Sequence, residues 1–154
     1  MEMGFSILDW QKGEVVFVAG ALAVVLGISV VQVRIGEMKT RDAQRKADVN
    51  LVARALTNYF GDHGVSPAAD GGKIAACGFE GEEACEWGGG PVIDVDGVVY
   101  LQKIPVEPFS KKGWKYVYES DGKKFKIYAR LESGKNSDLT TGCGSHVQCN
   151  WYVQ

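Results

Sequence analysis

Cysteine is absent from this 154-residue chain before Cys77, proline is absent from Glu14 to Phe60, and no glycine lies between Gly36 and Gly61. A segment so free of breakers excludes a series of turns and short strands and fits one long helix. Charge is missing from Val15 to Val31, a run of 17 residues. Histidine occurs only as His63 and His146, and there is no C-x-x-C pair, so zinc is the weaker reading of the cysteines. No acid, base and nucleophile are visibly grouped, and nothing marks an enzyme or calls for a cofactor. The formal net charge of −2 and pI of about 5.7 argue against direct nucleic-acid binding. Twenty glycines, fifteen of them from Gly61 onward, exclude an all-helical protein, whereas 45% hydrophobic and 23% charged residues are ordinary for a globular chain.

What is present is distributed unevenly. Residues 15–33 are just long enough and apolar enough to span a bilayer as a helix. A cleaved signal peptide has a shorter apolar region, a basic flank before it and a small-residue cleavage site after it. Here only Lys12 precedes the run and Gln32-Val-Arg-Ile-Gly-Glu37 follows, so a retained anchor in membrane lipid is expected. Ala19, Ala23 and Gly27 recur every fourth residue and line one helix face, which permits close helix approach in lipid. Small residues are also common in membrane helices for no such reason. Orientation is contested within the sequence. Arg34, Lys39, Arg41, Arg45 and Lys46 follow the run, and the positive-inside tendency would keep that side in the cytoplasm. Four cysteines in two local pairs suit disulfides, and hence an extracytoplasmic C-terminal domain. Pairing Cys77 with Cys85 and Cys143 with Cys149 closes the shortest loops, although three connectivities are possible.

Past the membrane run, Met38, Arg45, Val49, Val52, Leu56 and Tyr59 recur at helical spacing, with Ala55 and Phe60 widening the stripe. Lys39, Asp42, Lys46, Asp48, Asn50, Arg54 and Asn58 form the opposite side. A single helix over 14–60 is expected, roughly 70 Å long at ~1.5 Å per residue, stopped by Gly61-Asp-His-Gly64 and Pro67. Residues 61–97 read as a glycine-rich loop stapled by a disulfide, and Val98–Ile104 as a short apolar element. The clearest strand signal is a hairpin over 114–131. Trp114–Ser120 and Lys124–Leu131 alternate apolar and polar residues about Asp121-Gly122. Trp114, Tyr116 and Tyr118 share one face, as do Phe125, Ile127 and Ala129, and the stripe from Val49 to Phe60 is the expected cover. Asn150–Gln154 suits a last strand.

Three small constellations invite chemistry. His146 lies between Cys143 and Cys149, where a Cys–His nucleophile is conceivable and a histidine inside a disulfide ring is the simpler reading. Asp94-Val-Asp96-Gly97 sets two carboxylates at a turn that calcium would use, yet further acidic ligands are missing and an Asp-Gly turn suffices. The basic cluster from Lys39 to Lys46 suits either anionic lipid head groups or a solvated helix face with Asp42 as its internal partner.

The apolar helix, Arg41-Asp-Ala-Gln-Arg-Lys46, Tyr59-Phe60-Gly-Asp-His-Gly64 with Pro67, Lys103-Ile-Pro105, the hairpin and Cys149-Asn-Trp occur in an order that resembles type IV pilins and the pseudopilins of type II secretion. The likeness covers roughly Glu14 to Leu131. It implies an α+β, pilin-like fold in which a long N-terminal helix is first a membrane anchor, then a filament core, and in its second half packs on a small antiparallel sheet. The implied organisation is an N-terminal extension or leader over 1–13, the helix, and a globular head over 61–154. The implied partners are further copies of the chain in a helical homopolymer and an inner-membrane assembly machinery, with the filament at the cell surface or outside the cell. In such families a glycine followed by phenylalanine marks the processing site, and a glutamate shortly after serves assembly. Gly4 and Phe5 resemble that box, with Asp9 in place of the glutamate. Spacing back from Arg41 makes Glu14 the match instead. Helix length favours Glu14 as the residue that sets subunit register.

Overall fold

The computed structural model describes residues 12–134 and 149–154. The chain forms two compact units, residues 1–37 and 38–154, and the helix α1 (Lys12–His63) begins in the first and ends in the second. In the first unit every residue from Gly13 to Glu37 except Val18 is exposed. Val16 and Phe17 show 72% and 79% of their surfaces. No stripe organises residues 15–31, because the helix carries no charged residue on any side there. Such a helix finds a stable setting only in lipid or against other helices.

In the second unit α1 becomes amphipathic. Val49, Val52, Ala53 and Leu56 recur at helical spacing and pack with Ile74, Ala76, Val92, Ile104, Tyr116, Tyr118, Ile127 and Ala129 in one core. The helix runs three residues beyond the expected end at Phe60. Gly61 does not break it; the N–H of Gly64 bonds the Phe60 carbonyl at 2.7 Å and closes the last turn. Two residues expected on the solvated side, Asp42 and Asp48, face the interior instead. Asp42 is 5% exposed and Asp48 is half-buried, because each serves a buried polar partner described below.

Three antiparallel sheets complete this unit. The first orders β1 (Ala68–Asp70), β2 (Lys73–Cys77) and β3 (Glu83–Ala84) in sequence. The second pairs β4 (Val92–Ile93) with β5 (Val99–Leu101), and the third orders β6 (Val117–Ser120), β7 (Phe125–Ala129) and β8 (Trp151–Val153). The stretch read as a long loop over 61–97 thus contains four short strands. Gly71 and Gly72, at φ +56° and +83°, form the two-residue turn between Asp70 and Lys73, a conformation that side-chain-bearing residues resist. The hairpin over 114–131 is present but shorter than expected. Its strands are β6 and β7, with Tyr118 opposite Ile127 and Ser120 opposite Phe125. Its loop has four residues, Asp121 to Lys124, because the Asp121 carboxylate accepts the N–H groups of Lys123 and Lys124 and winds the turn one step further. Trp114 lies before the strand, beside the guanidinium groups of Arg45 and Arg130, while Tyr116, Tyr118, Ile127 and Ala129 are buried beneath α1 as expected. The tail strand β8 pairs antiparallel with β7.

Candidate functional site

The residues expected to carry assembly lie on the first unit. Glu14 sits in the first turn of α1, where a carboxylate complements the unpaired N–H groups of a helix start. Ala19, Ala23 and Gly27 share one face, all exposed, and a Cβ on Gly27 would meet nothing within 4 Å. Within α1 lies one stretch long and apolar enough to cross a membrane, and none of it is buried. Gly4 and Phe5 lie outside the described residues, as do Cys143 and His146.

Of the expected disulfides, Cys77–Cys85 is formed and ties the end of β2 to the residue after β3. Cys149 is also disulfide-bonded, and its expected partner lies outside the described residues. Cys77 and Cys85, being bonded to each other, supply no thiolate to zinc. Disulfides are the state expected of an oxidising, extracytoplasmic compartment.

Sequence spacing placed Arg45 in the apolar stripe but did not reveal what receives it. Arg45 is fully buried, with Nε 2.6 Å from Glu107 Oε1 and Nη1 at 2.8 Å from Asp42 Oδ1 and 2.7 Å from Glu132 Oε1. Arg41 grips Glu132 with two hydrogen bonds, at 2.8 and 2.7 Å. The Arg45 guanidinium lies 5.2 Å from the Phe109 ring centroid and 5.0 Å from that of Trp114, a placement favourable to a cation. Asp42 also accepts the N–H groups of Glu132 and Ser133, each at 2.8 Å, so one carboxylate fixes both the arginine and the chain beyond β7. Burial pushes the Asp42 carboxyl up, but hydrogen bonds from the Ser133 hydroxyl, the two backbone amides and Arg45 hold it below its ordinary value. Glu132 is held low chiefly by Arg41 and then, against burial, by Arg45. Burial lowers Arg45 and its three carboxylate partners more than reverse this, so it stays charged. The cluster ties one helix turn to segments 62 and 87 residues away. Nearby, Tyr116 donates to Asp48 at 2.9 Å, and burial with that carboxylate pushes the phenol far up.

The second polar cluster sits where α1 ends. Asp94 Oδ1 accepts the N–H groups of Asp96 and Val98 at 3.0 and 2.8 Å, forming the turn between β4 and β5. Its Oδ2 lies 3.1 Å from both His63 Nε2 and the Tyr100 hydroxyl. Tyr100 also reaches Asp62 at 2.8 Å, and Tyr59 stacks on His63 with ring centroids 4.4 Å apart. Burial raises Asp94, and the Val98 amide, His63, Tyr100 and the Asp96 amide together bring it below its ordinary value. Both oxygens of Asp94 are thus engaged within the protein, while Asp96 is exposed. No group of three or more His, Cys, Asp or Glu side chains converges as a metal site among the described residues.

The class these features define is an α+β protein: a long N-terminal helix, exposed and apolar over its first half, packs its second half on small antiparallel sheets. Compared with protein-family models, curated proteins and solved structures, the chain matches none.

Proposed function

We propose that the chain is the structural subunit of a type IV pilus-like filament, polymerising through its apolar N-terminal helix. The observation that carries this reading is the exposure of almost every residue from Gly13 to Glu37, in a helix that carries no charge on any side from Val15 to Val31. That surface requires lipid before assembly and the same helices of other copies afterwards. A polymer of this kind needs an inner-membrane machinery to draw subunits from the bilayer, and the disulfide-bonded domain fits an extracytoplasmic position. The pseudopilin of a type II secretion system has the same physical requirements and differs in the machinery it serves.

Glu14 is the register residue in this proposal. A carboxylate at the edge of lipid is costly unless paired or neutralised, so it seeks a cation on a neighbouring subunit, and Lys12 of that neighbour is one. Glu14→Gln keeps the chain in the membrane and cuts the yield of filaments; unchanged filaments would remove Glu14 from assembly. A membrane-tethered binding or adhesion module is the second reading, favoured by the exposed Phe79 on the disulfide-closed hairpin. It requires monomers in detergent and no filaments.

A further inference from the structure

The β2–β3 hairpin turns through Gly78-Phe79-Glu80-Gly81-Glu82, and the Cys77–Cys85 disulfide staples its base. Phe79 is 94% exposed, the most exposed large hydrophobic side chain among the described residues. The hairpin is braced in this attitude. Gly81, at φ +68°, presses on β4 so closely that a Cβ there would lie 2.8 Å from the Ile93 carbonyl oxygen and the Asp94 carbonyl carbon. Glu80, Glu82 and Glu83 flank the ring, all exposed, and none forms an ion pair among the described residues. The result is an apolar knob in an acidic collar.

The same unit carries a socket of opposite charge. Thr57 and Phe60 of α1 and Phe125 of β7 line a mainly apolar cavity of about 180 Å³, whose wall is completed by Lys123, Lys124, Ser66 and Gln154. Both lysines are exposed and neither forms an ion pair among the described residues. An apolar cavity of ~150 Å³ is enough to take up benzene, so a phenyl ring fits by volume.

We infer that Phe79 of one copy inserts beside Phe60 and Phe125 of a second copy, with Glu80, Glu82 and Glu83 facing Lys123 and Lys124. Knob and socket are different patches of one chain, so each copy offers one to a neighbour and receives the other. Such heterologous contacts either close into a ring or continue as an open helical assembly. The inference rests on the homopolymer reading and deepens it, adding a contact between heads to the packing of helices. Opposite charges around the socket select this orientation and disfavour knob against knob.

The test uses the full chain in membranes. In a Glu82→Cys/Thr57→Cys background, which keeps the Phe79 ring, mild oxidation yields a ladder of disulfide-linked oligomers if the knob reaches the socket. Adding Lys123→Glu/Lys124→Glu lowers the cross-linked fraction roughly tenfold or more, because like charges then oppose. Further adding Glu80→Lys/Glu83→Lys restores it. All these positions are exposed, and an unchanged melting transition of each variant verifies that the head is folded. Filament yield is scored in parallel on the unmodified chain. Filaments without a ladder overturn the knob-and-socket contact and leave the filament reading intact. A ladder that the charge reversal abolishes and the swap restores, without filaments, upholds the contact and overturns the filament. A ladder indifferent to both charge changes overturns the contact.

Discussion

Val25, Leu26 and Val30 are as apolar as Val49, Val52 and Leu56, yet the first three are more than half exposed and the last three fully buried. The difference lies in what the rest of the chain offers them. In the second unit, charged residues restrict the apolar surface to a stripe, and three sheets supply a cover for it. In the first unit the sequence offers neither a polar face nor a cover, and the described part of that unit is helix alone. The head half of α1 is therefore stabilised by its own chain, and the N-terminal half by what surrounds it. Burying a valine or leucine side chain contributes about 1.5–3 kcal/mol, so the exposed half has a large drive to leave water for lipid or for other helices.

Substitutions sharpen the contrast. Arg45→Ala is expected to have the largest effect, because it leaves Asp42 and Glu107 buried without their shared cation, while Glu132 keeps Arg41; a loss of about 3–5 kcal/mol follows, read by denaturant unfolding of the full chain in detergent. Leu56→Ala costs about 3 kcal/mol by opening a cavity in the core, while Leu26→Ala leaves head stability within about 0.5 kcal/mol. Equal effects of the two leucine substitutions would erase the distinction between the halves. Replacing Cys77 and Cys85 together by serine costs about 2–3 kcal/mol, since the short loop they close regains its freedom in the unfolded chain. The smallest effect is that of acid. Asp42, Asp94 and Glu132 have carboxyls held below their ordinary values, so their stabilisation is complete above those values and is lost as pH falls through the folded ones. Head stability should be flat from about pH 7 to 5 and decline below about pH 4. Asp48, raised by burial despite its bond from Tyr116, works weakly against that decline. The helicity of the first unit in detergent should not follow it, which circular dichroism across the pH range would reveal.

The elements legible in the sequence are those written in local pattern. The long helix follows from missing breakers, the stripe over Met38 to Phe60 from its spacing, the hairpin from its alternation, and the Cys77–Cys85 pair from proximity along the chain. The strands within 61–97 escaped because each has two to five residues, too few to establish a period. The Gly71-Gly72 turn was the signal available for β1 and β2. Asp42 escaped because a carboxylate in a polar-looking helix face reads as solvated until its partners are known. Those partners, Arg45 aside, are the backbone of Glu132 and Ser133 and the Ser133 hydroxyl, about ninety residues on. Glu107 and Glu132 are likewise ordinary surface acids by sequence, and only the folded chain brings them to Arg45.

The most direct measurement is negative-stain electron microscopy of material sheared from cells that produce the chain, with mass spectrometry of the subunit recovered. The filament account expects fibres composed of this chain, and the intact mass would show whether residues 1–13 belong to the assembled subunit. A chain that stays in the membrane as a monomer, with no fibres in the sheared fraction, would contradict it.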